Sequence, residues 1–302
     1  MMTLKGTVKR FGDFSALDGV DLEIPSGTAF GLLGSNGAGK STILRLFSGI
    51  YSPDGGEVLI DGEPVYDNVS AKQKVFFIND ETVQFSSFTL IELKNFYKQF
   101  YPNFSEEIFD RLEKAIQLPA DKKISTYSKG MKRQAIVITG IACCTPYLLL
   151  DEAFDGLDPT MRIIVKRMLV DAMCERDLTV VISSHNLKEI NEMCDTAALL
   201  HHGKIIFNRQ LDSLKGTVHK IQVAFADKER EYTREDFAAI PEILHFAKTQ
   251  SIYHIIAKGE EADIRAALEP FHPVVADMVP LTLEEIFIYE LEVLGYDSQV
   301  FA

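Results

Sequence analysis

Hydrophobic positions along the chain change their period several times, and the changes mark out its elements. Lys5–Arg10 and Val20–Ile24 alternate apolar with polar residues, the period of a half-buried strand. A loop at Gly12-Asp13-Phe14-Ser15 and a turn at Pro25-Ser26-Gly27 bound them. Thr28–Leu33, Val75–Ile78, Tyr147–Asp151 and Thr179–Ser184 are instead short apolar or β-branched runs, which suit buried strands. Helical spacing appears at Thr42–Phe47, 132–144, 160–176 and 186–193. Residues 55–63 read as a further hairpin, and Ala197–His202 and Lys204–Asn208 flank Gly203 as another. Strands that alternate with helices predict a mostly parallel sheet, with ligands beyond the C-terminal strand ends.

Between about 82 and 125 the pattern is helical and aromatic, with Phe85, Phe88, Phe96, Tyr97, Phe100, Tyr101, Phe104 and Phe109. These rings read mainly as the core of a helical subdomain, and any exposed ones could form a groove for a partner helix. After about residue 216 the texture changes again. Lys220–Phe225, Ile243–Ala247, Tyr253–Lys258 and Val274–Met278 look like strands, Ala262–Glu269 and Thr282–Leu294 like helices, and Thr282-Leu283-Glu284-Glu285 is a capping box. The expected organisation is one domain over 1–215, with its helical subdomain at about 82–145, and an accessory α+β region over 216–302.

Chemistry enters at the strand ends. Gly34-Ser35-Asn36-Gly37-Ala38-Gly39-Lys40-Ser41 fits G-x-x-x-x-G-K-[ST] at every fixed position, between an apolar strand and a helix. Gly34, Gly37 and Gly39 let the backbone curl its N–H groups around phosphates. Lys40 is expected to reach the β and γ phosphates, the Ser41 hydroxyl to bind Mg²⁺, and Thr42 to join the nucleotide-binding set. Leu148-Leu149-Leu150-Asp151-Glu152 is an apolar strand that ends on two carboxylates. Tyr127-Ser128-Lys129-Gly130-Met131 is a Ser-x-Gly turn into a basic helix start, a second phosphate-binding element in a chain that already has one.

Composition narrows the class. Hydrophobic residues make up 46% and charged residues 25%, as in ordinary globular proteins. The formal net charge of −13 argues against nucleic acid as a partner. Met1–Gly6 lacks the apolar stretch of a secretory signal, and no run reaches bilayer-spanning length. Cys143, Cys144, Cys174 and Cys194 lack metal-ligand spacing and fit a reducing, cytoplasmic setting.

With these motifs in order, residues 2–215 resemble the nucleotide-binding subunit of an ABC transporter. Gly34–Ser41 matches the Walker A motif and Leu148–Glu152 the Walker B motif. Ser128-Lys129-Gly130-Met131 matches the signature, 23 residues before Asp151, and Gly156-Leu157-Asp158 matches the D-loop. His185, 33 residues after Glu152, matches the switch histidine, and Phe11 the adenine-stacking aromatic. The Ser-Lys-Gly-Met variant and the appended C-terminal region resemble ABC-2-type exporter subunits, including the bacitracin-export group.

The resemblance implies an α/β P-loop NTPase fold with an antiparallel β subdomain beside the core sheet. It also implies a sandwich dimer holding two ATP molecules, the second cassette being identical or a close relative, docked on separate membrane subunits at the inner face of the membrane. Asp151 would bind Mg²⁺, Glu152 polarise the attacking water, and His185 contact the γ-phosphate. Ser128 and Gly130 would serve the partner's ATP, and Asp158 would join the nucleotide-binding residues. Two departures stand out. Lys129 replaces a signature glycine, and the position where the family usually has Gln is Asp80, which can offer oxygen to Mg²⁺ or water but no donor. A soluble translation or DNA-repair ATPase would share the cassette. Two cassettes in one chain or a long coiled-coil insertion would mark those classes, and neither is present.

Overall fold

The computed structural model describes residues 1–79, 85–213, 218–226, 230–279, 281, 282 and 285. They divide into two compact units, 1–208 and 209–302.

In the first unit the N-terminal alternation becomes a hairpin longer than its sequence pattern. β1 (Met2–Phe11) pairs antiparallel with β2 (Phe14–Ile24), from Met2 opposite Ile24 to Phe11 opposite Phe14. β4 (Gly55–Ile60) joins the other side of β1, and β5 (Glu63–Pro64) completes an antiparallel sheet in the order β2-β1-β4-β5. The second sheet contains β3 (Ala29–Leu33), β6 (Val75–Ile78), β7 (Tyr147–Asp151), β8 (Thr179–Ser184), β9 (Thr196–His201) and β10 (Lys204–Gln210), in the order β10-β9-β3-β8-β7-β6. From β9 to β6 every neighbouring pair is parallel. β3, β7 and β8 are buried along their whole length, which explains their unbroken apolar runs. They lie side by side at the centre, so Gly34, Glu152 and His185 leave the sheet at one edge.

α1 (Lys40–Phe47) lies between the two sheets: Leu4, Leu22 and Ile24 share one cluster with Ile43, Leu44, Phe47, Phe30 and Leu32. Helix starts follow local capping chemistry. Thr89 and Glu92 form a full capping box on α3 (Leu90–Lys98), and Ser105 caps α4 (Glu106–Ile116). α5 (Lys129–Ala142), α6 (Pro159–Glu175) and α7 (Leu187–Met193) begin at Ser128, Asp158 and Asn186. α2 (Val69–Gln73), capped by Asn68, carries no helical period in the sequence because Ala71 is its one buried residue.

The aromatic stretch behaves differently from a plain core. Phe109 is buried, but Phe85, Phe88, Phe96, Tyr97, Tyr101 and Phe104 are half-buried and Phe100 is exposed. Phe85, Phe88, Phe96, Phe100, Tyr97, Tyr101 and Phe76 form a chain of ring contacts with centroids 4.6–6.2 Å apart. Phe85, Tyr97 and Tyr101 face a cleft of about 280 Å³, shared with Ile50, Phe76, Ile78 and Arg133.

The second unit is a four-stranded antiparallel sheet. β11 (Val218–Ala224), β12 (Glu242–Thr249), β13 (Ile252–Lys258) and β14 (Val275–Val279) lie in the order β12-β13-β11-β14. α8 (Glu261–Leu268) lies between β13 and β14 in the chain. This is a split β-α-β-β-α-β arrangement whose first helix is reduced to a 3-10 turn at Arg234–Phe237. Ile221, Val223, Tyr253 and Ile255 bury one face against Phe225, Phe237, Ile264 and Leu268. Thr282 and Glu285 exchange both hydrogen bonds of the capping box. The rest of the helix expected over 282–294 lies outside the described residues.

One polar clamp ties β7 to the antiparallel sheet. The turn after β4 presents Asp61, which accepts from the Tyr147 hydroxyl, the Met1 ammonium at 2.7 Å and Lys74 at 3.0 Å. Burial works to raise the Asp61 carboxyl, but these donors outweigh it and hold its pKa down at about 2. A depressed carboxylate adds stability above its unfolded pKa of about 4, and that stability is lost as pH falls towards the folded value. Asp61→Asn is therefore expected to be less resistant to urea than wild type at neutral pH, and to converge with it between about pH 4 and pH 2. A gap that stayed constant across that range would show that the charge contributes nothing.

Candidate nucleotide site

β3 ends at Leu33, and the backbone then passes through a space that admits no side chain. Gly34 has φ 152°, and a Cβ there would stand 2.3 Å from the Leu200 carbonyl oxygen. Gly39, the residue before α1, has φ 113°, and a Cβ would meet the Ala16 carbonyl oxygen at 2.7 Å. The turn between β9 and β10 fastens the loop: Gly203 N–H donates to the Ala38 carbonyl at 3.1 Å. Lys40 is folded into the loop and donates to the carbonyls of Gly34 at 2.6 Å and Ser35 at 3.2 Å. Its Nζ lies 3.8 Å from Glu152 Oε1. Burial pushes the ammonium pKa down, against the pull of Glu152 and Asp151.

Asp151 is the last residue of β7 and has no solvent exposure. Its Oδ1 accepts from Ser41 Oγ at 3.0 Å and from the Ser183 hydroxyl. Its Oδ2 is buried without a hydrogen-bond partner among the described residues. An orphaned carboxylate oxygen at a fully buried position is costly in a folded protein. Here it belongs to a carboxylate that already holds the Ser41 hydroxyl, so the donor set is the hard oxygen kind that Mg²⁺ takes. The residues present therefore fit that ion.

Glu152 turns out of the strand in the left-handed region, at φ 47°. Its N–H donates to the Ser183 carbonyl and to Ser183 Oγ, both at 3.2 Å. Its Oε2 lies 3.1 Å from Nδ1 of His185, which is exposed just beyond β8. Burial raises the Glu152 carboxyl above the ordinary range, with His185 and Lys40 opposing. A cleft of about 260 Å³ is lined by Ser35, Asn36, Gly37, Gly39, Lys40, Ser41, Thr42 and Glu152, with Phe11, Phe14 and Ala16 on the hairpin side; Asp151 and His185 lie behind Ser41 and Glu152 and do not line it. Phe11 is exposed, packs edge-on to Tyr51 with centroids 5.3 Å apart, and has Lys9 Nζ 5.5 Å from its ring centre.

The residues expected to serve a second nucleotide lie elsewhere. Ser128 Oγ accepts from Met131 N–H at 3.2 Å and so caps α5. Gly130 lies against the Gly156 carbonyl, which a Cβ would approach to 3.4 Å. Asp158 caps α6 through Thr160 and Met161 N–H, both at 3.1 Å. The methylenes of Lys129, the unusual signature residue, cover Gly156. None of Ser128, Gly130 and Asp158 lines the cleft. Asp80 lies outside the described residues.

Three contributors escape the motifs. Ser183 orients Asp151 and anchors the Glu152 amide; its one signal is a hydroxyl in an apolar strand. Phe14 faces the cleft opposite Phe11 in the β1–β2 register. Arg133 is 1% exposed within α5 and donates to the Asn79 carbonyl just beyond β6. A cation on a largely buried helix was its visible clue.

Comparison with known proteins agrees with this geometry. Residues 17–155 match the family described as ABC transporter. The chain is 30% identical over 288 residues to the ABC transporter ATP-binding protein YtrB of Bacillus subtilis (strain 168), spanning 95% of this chain and 97% of YtrB. It is 31% identical to the Nod factor export ATP-binding protein I of Rhizobium sp. (strain N33), over 67% of this chain and 68% of that protein. It is 29% identical to the methionine import ATP-binding protein MetN of Staphylococcus saprophyticus, over 87% and 81%. A solved ATP-binding subunit of an ABC transporter superposes with a TM-score of 0.66 at 24% identity, covering 71% of this chain and 92% of that one, and so shares its fold. A match that runs almost end to end through both chains places this protein in the ABC transporter family, as an ATP-binding subunit.

Proposed function

We propose that the chain binds ATP with Mg²⁺ in the cleft around Lys40 and hydrolyses it as one of two cassettes that close over the nucleotide, driving export through separate membrane subunits. The observation that carries the hydrolytic reading is the placement of Asp151, with its free buried oxygen, next to Ser41, and of Glu152 between Lys40 and His185.

Residues 34–42 present the backbone cradle. Lys40 exchanges its two carbonyl partners for β- and γ-phosphate oxygens, which stabilises the charge that its burial now penalises. Ser41 and Asp151 hold Mg²⁺, which neutralises phosphate charge and fixes phosphate geometry when bound. Glu152 takes the proton of the attacking water, and its burial strengthens it as a base. His185 orients Glu152 and reaches the γ-phosphate. Phe11 stacks on adenine, and Asp80 takes the place of the family's Gln.

Ser128 and Gly130 serve the ATP of the partner cassette, identical or closely related, and Asp158 joins the nucleotide-binding residues. Lys129 is accommodated by its packing on Gly156. Binding favours closure only through contacts that exist in the closed state, and the α5 start supplies them. The aromatic-walled cleft suits an apolar helix of a membrane subunit. Among the described residues no helix is long and apolar enough to cross a membrane, so attachment to the inner face of the membrane rests on that partner. The export direction rests on the Ser-Lys-Gly-Met signature and on likeness to the Nod factor export protein, against which stands the likeness to an import protein. With a net charge of −13, nucleic acid is not a partner.

Three experiments test this reading. Glu152→Gln is expected to cut ATP turnover by roughly 10²–10⁴-fold and to elute as an ATP-loaded dimer in sizing with Mg²⁺. Elution as monomer, both alone and with the membrane subunits, would remove the sandwich mechanism. Wild type should gain more thermal stability from ATP with Mg²⁺ than from ATP with chelator, and Asp151→Asn should lose that difference. An undiminished Mg²⁺ effect in the variant would refute the assignment of Asp151. Ile50, 56% exposed at the aromatic cleft, is the cleanest probe of docking. Ile50→Asp is expected to reduce co-purification with the membrane subunits while ATP binding by the isolated chain is unchanged, and full co-purification would place the docking surface elsewhere.

A further inference from the structure

Glu189 is a carboxylate for which the ATP site has no use, yet it is only 4% exposed. It lies in the first turn of α7, close after His185. One oxygen, Oε2, accepts from Ser184 Oγ at 2.9 Å, and the other lies 3.2 Å from the guanidinium of Arg162. Ser184, itself 1% exposed, also accepts from Asn186 N–H at 3.0 Å. An amide N–H can only donate, so the Ser184 oxygen is the acceptor there and its proton is committed to Glu189. Both neighbours of His185 in the chain are thus fixed, directly or through one hydroxyl, to a single buried carboxylate.

Arg162 lies in the first turn of α6, where its N–H donates to the Asp158 carbonyl at 2.9 Å. One turn further along, Lys166 pairs with Glu192 at 2.5 Å and makes a second, more exposed rung between α6 and α7. The buried rung is the unusual one. An aliphatic residue at 189 would fill the site without the desolvation penalty of a carboxylate. A carboxylate there achieves something an aliphatic residue cannot: it holds a hydroxyl and a guanidinium in a fixed geometry. His185, with its side chain 54% exposed, sits at the surface, and its Nδ1 lies 3.1 Å from Glu152.

We propose that Glu189, with Arg162, is a positioning residue for ATP hydrolysis: the pair locks Ser184-His185-Asn186 onto the start of α6 and so keeps His185 in contact with Glu152. This rests on the reading of His185 as part of the hydrolytic site. A loop displaced by an ångström at such a contact lowers turnover without removing any group that touches the nucleotide.

The test measures ATP turnover of the full chain, with its membrane subunits bound, in two backgrounds. In the wild-type background Glu189→Ala and Ser184→Ala are each expected to lower kcat roughly 10–100-fold, with KM for ATP within about 3-fold. Glu189→Gln, which keeps an acceptor for Ser184 and loses the ion pair, falls between. In the His185→Ala background the further change Glu189→Ala is expected to alter kcat by less than about 2-fold, because the group it positions is gone. An equal loss in both backgrounds, or an unchanged kcat for Glu189→Ala, overturns the proposal. Should His185→Ala alone leave turnover intact, it is the catalytic reading of His185 that fails. The frame is then judged on the crystal structure of Glu189→Ala: loss of the His185–Glu152 contact supports it, and retention overturns it. If Glu189→Ala does not fold, Ser184→Ala, which removes one oxygen, carries both measurements.

Discussion

The site depends on keeping charge buried at the end of an apolar sheet. Asp151 has no exposure and Lys40 almost none, and neither could be held there by packing alone. Removing a charge from water has an effective penalty of several kcal/mol even after relaxation. The protein offsets it locally, with hydroxyls of Ser41 and Ser183 on Asp151, carbonyls of Gly34 and Ser35 on Lys40, and the partial pairing of Lys40 with Glu152. The offset is incomplete, since one Asp151 oxygen has no partner among the described residues and the Lys40 ammonium is pushed down. Nucleotide phosphates and a divalent cation carry the charges that would complete it.

That arrangement follows from strand order. β3, β8 and β7 are adjacent, parallel and buried along their whole length, so their side chains are mostly apolar, with Ser183, Ser184 and Asp151 at the C-terminal ends. The charged groups lie at the exits, and the three exits fall together although Lys40 and Asp151 are 111 positions apart in the chain. The glycines are required at the same place for a related reason. Gly34 and Gly39 thread between the Leu200 and Ala16 carbonyls, where any Cβ would collide with backbone that cannot move independently of the sheets.

Much of this was legible in the sequence, because phosphate loops, buried strands and caps are local in sequence. The buried strands, the phosphate loop and the Asp-Glu strand end are each encoded within a few consecutive residues. What escaped was non-local. Ser183 and Arg133 owe their importance to partners 32 and 54 positions away, and nothing in their own neighbourhoods names those partners. The aromatic stretch was open to two readings. Its helical spacing is genuine, but burial depends on what covers the second face, and Phe85, Tyr97 and Tyr101 line a cleft wall. α2 was invisible because one buried residue cannot make a period.

The start of α6 gathers what the motifs leave scattered. Asp158 caps it, and two residues earlier Gly156 is covered by Lys129 from the signature helix and faces Gly130. Within one turn Arg162 reaches the carboxylate beneath His185, and one turn later Lys166 lies 5.2 Å from the ring centre of Phe154, which follows the Asp151-Glu152 strand end. The start of α5, the strand end at Asp151-Glu152 and the loop at His185 are therefore each in contact with the first two turns of one helix or its lead-in. Their side chains cannot be repositioned independently of it. A signature residue such as Lys129 then does more than tolerate a missing glycine. By filling the space over Gly156, its methylenes pack the start of α5 against this lead-in.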